Sequence, residues 1–244
     1  MRETIDILDI PVDYVTMDEA KARISTFINS QKYHMVFTPN PEIIMLAQDN
    51  AQMKEALQQA DLIIPDGIGV VIGSKILKGK NLPERVPGFD LIQGTMAQAV
   101  DKGYRYYFFG SKPGVAEEAA KNMRIKYPGI QIVGTRDGYF KEDEMDAIIN
   151  DINESGANML LVALGAPRQE LWIQAAKDKL PNVRVAVGVG GSLDGMAGTV
   201  KRAPEIFQKL NLEWFYRLVS QPTRAKRMLL LPKFIVEVLK KRNS

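Results

Sequence analysis

The chain contains no cysteine and a single histidine, His34, among its 244 residues. These absences exclude a disulfide framework, a thiolate zinc site, a cysteine nucleophile and any site that needs two imidazole groups. No stretch approaches the ~18 apolar residues of a membrane-spanning helix. The amino terminus carries Glu3, Asp6 and Asp9 where a secretion signal would be apolar. We therefore expect a cytoplasmic protein that works with carboxylate and guanidinium groups.

Motifs of several enzyme classes are also missing. No Asp-x-Asp pair, the usual carrier of a divalent metal on a nucleotide diphosphate, occurs, so we expect neither a metal nor another cofactor. The glycine-rich stretch 187–195 lacks a Walker lysine, and Leu193 replaces the third glycine of a dinucleotide fingerprint. There is no Gly-x-Ser-x-Gly elbow, and a Ser-His-Asp triad would have to use His34.

Charge is unevenly distributed along the chain. The net charge is only +3, but residues 201–244 carry eleven Lys and Arg against three Glu, whereas residues 1–200 carry 21 basic and 26 acidic side chains. An apolar share of 45% is ordinary for a soluble globular protein. We therefore expect an α/β catalytic body over 1–200 and a basic helical appendage over 201–244 that meets an anionic partner.

Six short apolar runs alternate with amphipathic segments in the body. The runs are continuous, which is typical of strands covered on both faces, so the sequence predicts a mostly parallel, Rossmann-like sheet flanked by helices. The predicted strands are Met35–Thr38, Leu62–Pro65, Tyr104–Gly110, Ile130–Gly134, Met159–Gly165 and Val183–Val189. The predicted helices are 17–30, 41–59, 67–78, 89–101, 113–127, 141–155 and 168–179, with 203–220 and 223–241 in the appendage.

Capping residues mark the expected helix starts. Thr16 and Glu19 have the spacing of a capping box. Asn40-Pro41 pairs an N-cap with proline at the first helical position, and Ser111-Lys112-Pro113 predicts a similar start. In the appendage, Pro222 separates the two helices and Pro232 is expected to break or kink the second.

Polar residues follow the first two strands, at the sheet edge where ligands bind. Thr38 has a hydroxyl that suits a ligand and a structural role equally, and Asn40 suits a helix cap. Asp66 lies at a good position for a general base, which is also a common position for a helix N-cap. Arg85, in a proline-rich connector, is either an anion ligand or a solvated surface charge.

Glycines and an amide follow the later strands. Gly110 precedes a predicted helix whose N–H groups suit a phosphate, although ordinary connections look similar. Gln169 either orients a sugar or forms part of a first helical turn. Asp194 could accept from a uracil N–H or a ribose hydroxyl. Three glycines would let a diphosphate or nucleobase approach the backbone closely: Gly188, Gly190 and Gly191.

In this order the motifs resemble the WecG/TagA/CpsF family of bacterial glycosyltransferases, and the resemblance covers nearly the whole chain. Several motifs in a fixed order are far more specific than any one of them. The matching stretches are Thr38-Pro39-Asn40, Pro65-Asp66-Gly67, Glu84–Asp90, Gly165–Glu170, Gly188–Asp194, Lys201–Pro204 and Leu212–Leu218, followed by Pro222, Arg224 and Arg227.

The resemblance implies inverting transfer of N-acetylmannosamine from its UDP derivative to the 4-hydroxyl of GlcNAc on undecaprenyl diphosphate, in the synthesis of the wall teichoic acid linkage unit. It implies Asp66 as the general base, with Thr38 and Gln169 lining a sugar. The loop from Gly188 to Asp194 would receive the UDP. It implies Arg217, Arg224 and Arg227 as the ligands of the diphosphates, and Asn40, Arg85 and Gly110 complete the expected substrate-binding residues.

Other functions stay open on the residues alone. A family member could use another donor, such as UDP-N-acetylmannosamine uronate or UDP-glucose, for another surface polysaccharide. A nucleotide-dependent oxidoreductase is disfavoured by the interrupted glycine fingerprint. A non-catalytic nucleotide-sensing module would leave Asp66 and the arginines without a purpose.

Basic and apolar side chains are interleaved over 217–242, where Glu237 is the only acid. This composition suits a helix lying on an anionic membrane, and equally a helix packed on the body with solvated lysines. We expect no nucleic-acid partner, because no binding motif accompanies the charge. The implied lipid-linked acceptor favours the inner face of the cell membrane, and exposed apolar surface predicts self-association into a homo-oligomer.

Overall fold

A six-stranded parallel sheet lies at the centre of the protein in the computed structural model, which describes residues 2–77, 79–220 and 230–243. Its strands confirm the six predicted runs to within two residues at each end: β3 (His34–Phe37), β4 (Leu62–Ile63), β5 (Arg105–Gly110), β6 (Gln131–Arg136), β7 (Met159–Ala163) and β8 (Val185–Gly188). The order across the sheet is β4-β3-β8-β7-β5-β6, and each neighbouring pair is parallel.

Helices cover both faces of this sheet, which is why its strands are continuous apolar runs. Along β5, Tyr107 and Phe109 belong to the core on one face, and Tyr106 and Phe108 belong to the core on the other. The helices of the body are α1 (Met17–Ile28), α2 (Pro41–Gln48), α3 (Ala51–Gln58), α4 (Ile68–Ile76), α5 (Gly88–Ala97), α6 (Ala99–Lys102), α7 (Val115–Lys126), α8 (Met145–Glu154), α9 (Arg168–Ala175) and α10 (Ser192–Ala197).

The helix starts agree with the capping signals at two of three places. The capping box of Thr16 and Glu19 is present, and Asn40 caps α2. The predicted start at Ser111 is wrong, because α7 begins at Val115 after a left-handed glycine and without a side-chain cap. The predicted helix 41–59 is divided because the Asn50 side chain accepts from the Met53 N–H and so begins α3. The short helix α10 was not predicted.

A two-stranded antiparallel hairpin, β1 (Thr4–Ile7) and β2 (Ile10–Asp13), precedes the sheet and was also not predicted. Its turn consists of Leu8 and Asp9, both at positive φ, without the glycine that marks most such turns. The hairpin is attached through Asp13, a fully buried carboxylate that accepts from the Ile63 N–H at 2.7 Å.

The appendage contains α11 (Glu205–Lys209), α12 (Glu213–Ser220) and α13 (Leu230–Asn243). Helix α13 returns to the body, where Phe234 and Val238 are fully buried in the core on the α2 side of the sheet. Helix α13 continues through Pro232, so the expected break there is wrong, and the alternative of a kink stays a prediction. Pro222 lies outside the described residues.

Candidate active site

The carboxyl ends of neighbouring strands meet along one edge of the sheet. After β5 the chain enters α7, which covers one face, and after the adjacent β7 it enters α9, which covers the other. Helices that leave neighbouring strands on opposite faces open a crevice between the strand ends, where ligands of such sheets bind. The residues at or just beyond the carboxyl ends of β3, β4, β5, β7 and β8 are Thr38, Asp66, Gly110, Gly165 and Gly188, respectively.

Asp66 follows β4 and is held by the connector that precedes α5. Its Oδ1 accepts from the Gly88 N–H at 2.9 Å, and its backbone carbonyl accepts from Arg85 Nε at 2.7 Å. It is not the side-chain cap of the next helix, because α4 begins after Gly67 without a side-chain cap bond. The carboxylate is half-buried and fixed in orientation, as a positioned general base requires.

Tight packing brings together three segments: the one that follows β3, the one that follows β4, and the connector that precedes α5. Thr38 Oγ1 donates to the Gly188 carbonyl at 3.1 Å and so ties the end of β3 to the end of β8. A Cβ at Gly88 would lie 3.0 Å from the Thr38 Cβ, and a Cβ at Gly67 would lie 2.8 Å from Pro41 Cδ. The glycines at these two positions therefore permit the close approach of the three segments.

Asn40 has the structural role that its position predicted. Its Oδ1 accepts from the Ile43 N–H at 3.0 Å, and Pro41 occupies the first turn of α2. This cap accounts for the asparagine without a ligand, and a substrate contact by Asn40 stays a prediction.

Gln169 lies beneath the glycine loop, defined as Gly188–Asp194, and is only 2% exposed. Its Oε1 accepts from the Gly190 N–H at 3.0 Å, and its Nε2 donates to Glu170 Oε1 at 2.8 Å. Both ends of this amide bind the protein, and the sugar contact that the sequence left open for Gln169 stays a prediction. The first turn of α9 directs the side chain under β8, where a Cβ at Gly188 would lie 3.0 Å from its Nε2.

Asp194 and Ser111 join the glycine loop to the end of β5. Asp194 Oδ2 accepts from Ser111 Oγ at 3.0 Å. Gly110 is required by the close approach of β7, because a Cβ there would lie 2.4 Å from the Ala163 carbonyl oxygen. Gly110 therefore has a packing role, and ligand contacts by Gly110 and Asp194 stay predictions.

Arg85 connects Asp66 to the appendage. Its Nη2 forms an ion pair with Glu213 Oε2, and its Nη1 lies 3.4 Å from Asn211 Oδ1. Arg202 forms a second pair with Glu213 at 3.5 Å. The predicted anion ligand Arg85 thus already binds a protein carboxylate. Sequence reasoning gave Glu213 no role, although an acid in so basic a segment was a usable signal.

The three appendage arginines are only partly placed by the structure. Residue 217 lies on α12, one turn after Glu213, and therefore on the same side of that helix. The side chain of Arg217 and the whole of Arg224 and Arg227 lie outside the described residues. Their predicted contacts with the diphosphates therefore stay predictions.

Comparison with known proteins decides the family. The profile described as "Glycosyl transferase WecG/TagA/CpsF family" matches residues 5–244. The chain belongs to this family. It is accordingly a glycosyltransferase, and the family gives no support to the oxidoreductase alternative.

Two relatives share the same printed name, N-acetylglucosaminyldiphosphoundecaprenol N-acetyl-beta-D-mannosaminyltransferase. The protein of Bacillus spizizenii (strain W23) is 41% identical over 216 residues, which cover 88% of this chain and 82% of the relative. The protein of Bacillus subtilis (strain 168) is 36% identical over 218 residues, which cover 89% of this chain and 84% of the relative. Each alignment covers more than four fifths of both chains.

Proposed function

We propose that this family member transfers N-acetylmannosamine from UDP-N-acetylmannosamine to the 4-hydroxyl of GlcNAc joined through a diphosphate to undecaprenol, as in teichoic acid linkage-unit synthesis. The names of the two relatives support the sugar and the acceptor. The observation that carries the chemistry is Asp66, a half-buried carboxylate held by the Gly88 N–H at the edge of the sheet where ligands bind.

In the proposed reaction, the acceptor hydroxyl attacks the anomeric carbon from the face opposite the UDP. Asp66 takes the hydroxyl proton while the new C–O bond forms. The bond to UDP breaks in the same step, and the diphosphate leaves with the bonding electrons. The bond from the Gly88 N–H keeps the Asp66 carboxylate in one orientation for this transfer. A positioned base of this kind contributes typically about 10²–10⁴-fold.

The leaving diphosphate needs a positive field on the side opposite Asp66. The glycine loop offers close backbone approach, and the appendage arginines would add guanidinium groups that bind phosphate oxygens in pairs. Helix α12, which contains residue 217, is attached at this end of the sheet by the ion pair between Glu213 and Arg85, so it can supply one of these arginines. The arginines assigned to the diphosphates are Arg217, Arg224 and Arg227.

A UDP-release assay tests the proposed function. UDP-N-acetylmannosamine and a short-chain prenyl-diphosphate-GlcNAc should together release UDP, because transfer needs both substrates. UDP-glucose and UDP-N-acetylmannosamine uronate are the competing donors, and GlcNAc without the diphosphate is the control acceptor. Release from one of these donors, and not from UDP-N-acetylmannosamine, would assign the enzyme to another surface polysaccharide.

We also propose that the appendage rests on the inner face of the cell membrane. No helix of residues 2–77, 79–220 and 230–243 is long and apolar enough to cross a membrane. The sequence left open whether 217–242 lies on a membrane or packs on the body, and at Phe234 and Val238 α13 packs on the body. Val236 and Leu239 of α13 stay exposed, and further large apolar side chains are exposed on α11, on α12 and between them: Ile206, Leu210, Trp214, Phe215 and Val219.

Replacing Val219 by Asp should lower binding to anionic phospholipid vesicles by about tenfold, because a charge replaces a residue that enters the lipid boundary. Val219 is 65% exposed, so the protein itself should keep its stability. Ile125 on α7 is 71% exposed and supplies the matched control, Ile125→Asp. Vesicle co-sedimentation measures both. Equal binding by the two variants would argue against contact through α12.

A further inference from the structure

Glu170 is a buried acid that the proposed reaction does not use. The residue is 1% exposed, and carboxylates are seldom buried so completely without ionic partners. Its Oε1 accepts from Gln169 Nε2 at 2.8 Å, while its Oε2 has no hydrogen-bond partner in the described part of the chain. One hydrogen bond does not offset the cost of burying a carboxyl group, and burial raises the pKa of Glu170. Glutamate at this position therefore needs an explanation.

The explanation lies in the amide of Gln169, which has an acceptor end and a donor end of nearly the same shape. In the structure the acceptor end meets the Gly190 N–H, and the donor end meets Glu170. Rotating the amide by half a turn would place its NH₂ against the Gly190 N–H, donor against donor. An acceptor at position 170 fixes the orientation that holds Gly190.

Gly190 needs such a tether. It has φ of 51°, lies next to Gly191, and belongs to a loop whose glycines have wide conformational freedom. The Gln169 bond is made in the middle of the loop, between the Thr38 bond to Gly188 and the Ser111 bond to Asp194. Ser192 Oγ also donates to the Val189 carbonyl at 2.7 Å across the two glycines, but that bond lies within the loop. Among the described contacts, the Gln169 bond is the side-chain bond that joins Gly190 to another element.

We infer that Glu170 is a positioning residue for the UDP donor: it orients the Gln169 amide, which holds the glycine loop in its binding shape through the Gly190 N–H. This inference rests on the proposed function, in which the glycine loop receives UDP. Glu170 touches no substrate in this account. Its effect should therefore fall on the donor and leave the acceptor unaffected.

The test compares Glu170→Met, which fills a similar volume without an acceptor, with Glu170→Gln, whose amide oxygen can still accept from Gln169 Nε2. For Glu170→Met we expect the UDP dissociation constant and the donor KM to rise about tenfold, because one hydrogen-bonded tether of the loop is lost. The acceptor KM should stay unchanged. Glu170→Gln should stay within about threefold of wild type. Isothermal titration with UDP and steady-state kinetics supply the readouts.

A double variant separates positioning from general damage. Gln169→Met removes the same tether, so adding Glu170→Met to it should weaken UDP binding no further. Additive losses, or equal rises in the donor and acceptor KM, would overturn the inference. If Glu170→Met does not fold, Glu170→Asp replaces it, because its shortened carboxyl group withdraws from Gln169 and should give the same donor defect. Wild-type protein that binds no UDP would overturn the proposed function, whereas wild-type affinity in Glu170→Met would overturn this inference alone.

Discussion

The Asp66→Asn variant is expected to lose about 10²–10⁴-fold in kcat, which is the usual contribution of a general base. The asparagine oxygen can still accept from the Gly88 N–H, so the local geometry is kept while the proton acceptor is removed. UDP affinity should stay within about twofold of wild type, because only the transfer step loses stabilisation. Steady-state kinetics and isothermal titration with UDP measure the two quantities.

Asp61 supplies the matched control. It immediately precedes β4, at the amino ends of the strands, whereas Asp66 follows β4 at the carboxyl ends. Asp61 Oδ2 accepts from the Met35 N–H at 2.9 Å, a bond that an asparagine oxygen can replace. Asp61→Asn should therefore leave kcat unchanged. Near-normal turnover by Asp66→Asn would remove Asp66 as the base, and equal losses in both variants would point to the fold instead of proton transfer.

The Arg85→Met variant is expected to lower kcat/KM by about 10²-fold, since breaking a buried ion pair leaves Glu213 without its main partner. Two consequences combine in this loss. The Asp66 carbonyl loses the donor that orients its loop, and α12 loses its attachment beside the active site. The sheet and both cores lie elsewhere, so the thermal unfolding midpoint should change much less than the activity. Kinetics and thermal unfolding are the measurements.

A second substitution at Glu213 shows whether the ion pair is responsible. Replacing a buried pair by two apolar residues is often nearly neutral, so Arg85→Met with Glu213→Met should recover activity by about tenfold over Arg85→Met alone. Arg184 immediately precedes β8, at the amino ends of the strands and away from the site. Arg184→Met is therefore the control and should behave as wild type. If the double variant is as inactive as the sum of the single losses, Arg85 acts directly on substrate and not through α12.

The fold was predictable from the sequence to the extent that it depends on local pattern. Continuous apolar runs located all six parallel strands, because strands covered on both faces need no polar side. Thr38, Asp66 and Gly188 were likewise identified from position alone, since parallel strands bring their carboxyl ends to one edge. Their meeting there is confirmed by the bond between Thr38 and Gly188 and by the packing of Gly88 on Thr38.

The features that were not predicted depend on contacts between distant residues. The β1–β2 hairpin has no glycine turn, and its attachment depends on Asp13 reaching Ile63. For Gln169 the sequence left a sugar contact and a role in the first turn of α9 open, because that position does not show that the side chain turns under β8. The sugar contact stays a prediction. No local pattern indicates that Glu213 pairs with a residue 128 positions away.

The basic appendage illustrates the same limit. Composition predicted a segment that meets anions, but it could not separate the residues facing the body from those facing outward. In the structure, Phe234 and Val238 of α13 complete the core, and Lys241 pairs with Asp6 and Asp9 of the hairpin. Part of the basic charge is therefore used within the protein. Exposed apolar side chains lie on α11, on α12 and between them, and α13 adds Val236 and Leu239.

The anomeric configuration of the transferred sugar tests the central claim, direct displacement at the anomeric carbon, more directly than any rate. The measurement is the one-bond C–H coupling at the anomeric carbon of the product made by wild-type protein in the UDP-release reaction. The sugar is α-linked to the diphosphate in UDP-N-acetylmannosamine, and one displacement inverts that centre. The account predicts a β-linked product. An α-linked product would contradict it, because retention requires two displacements or a different mechanism.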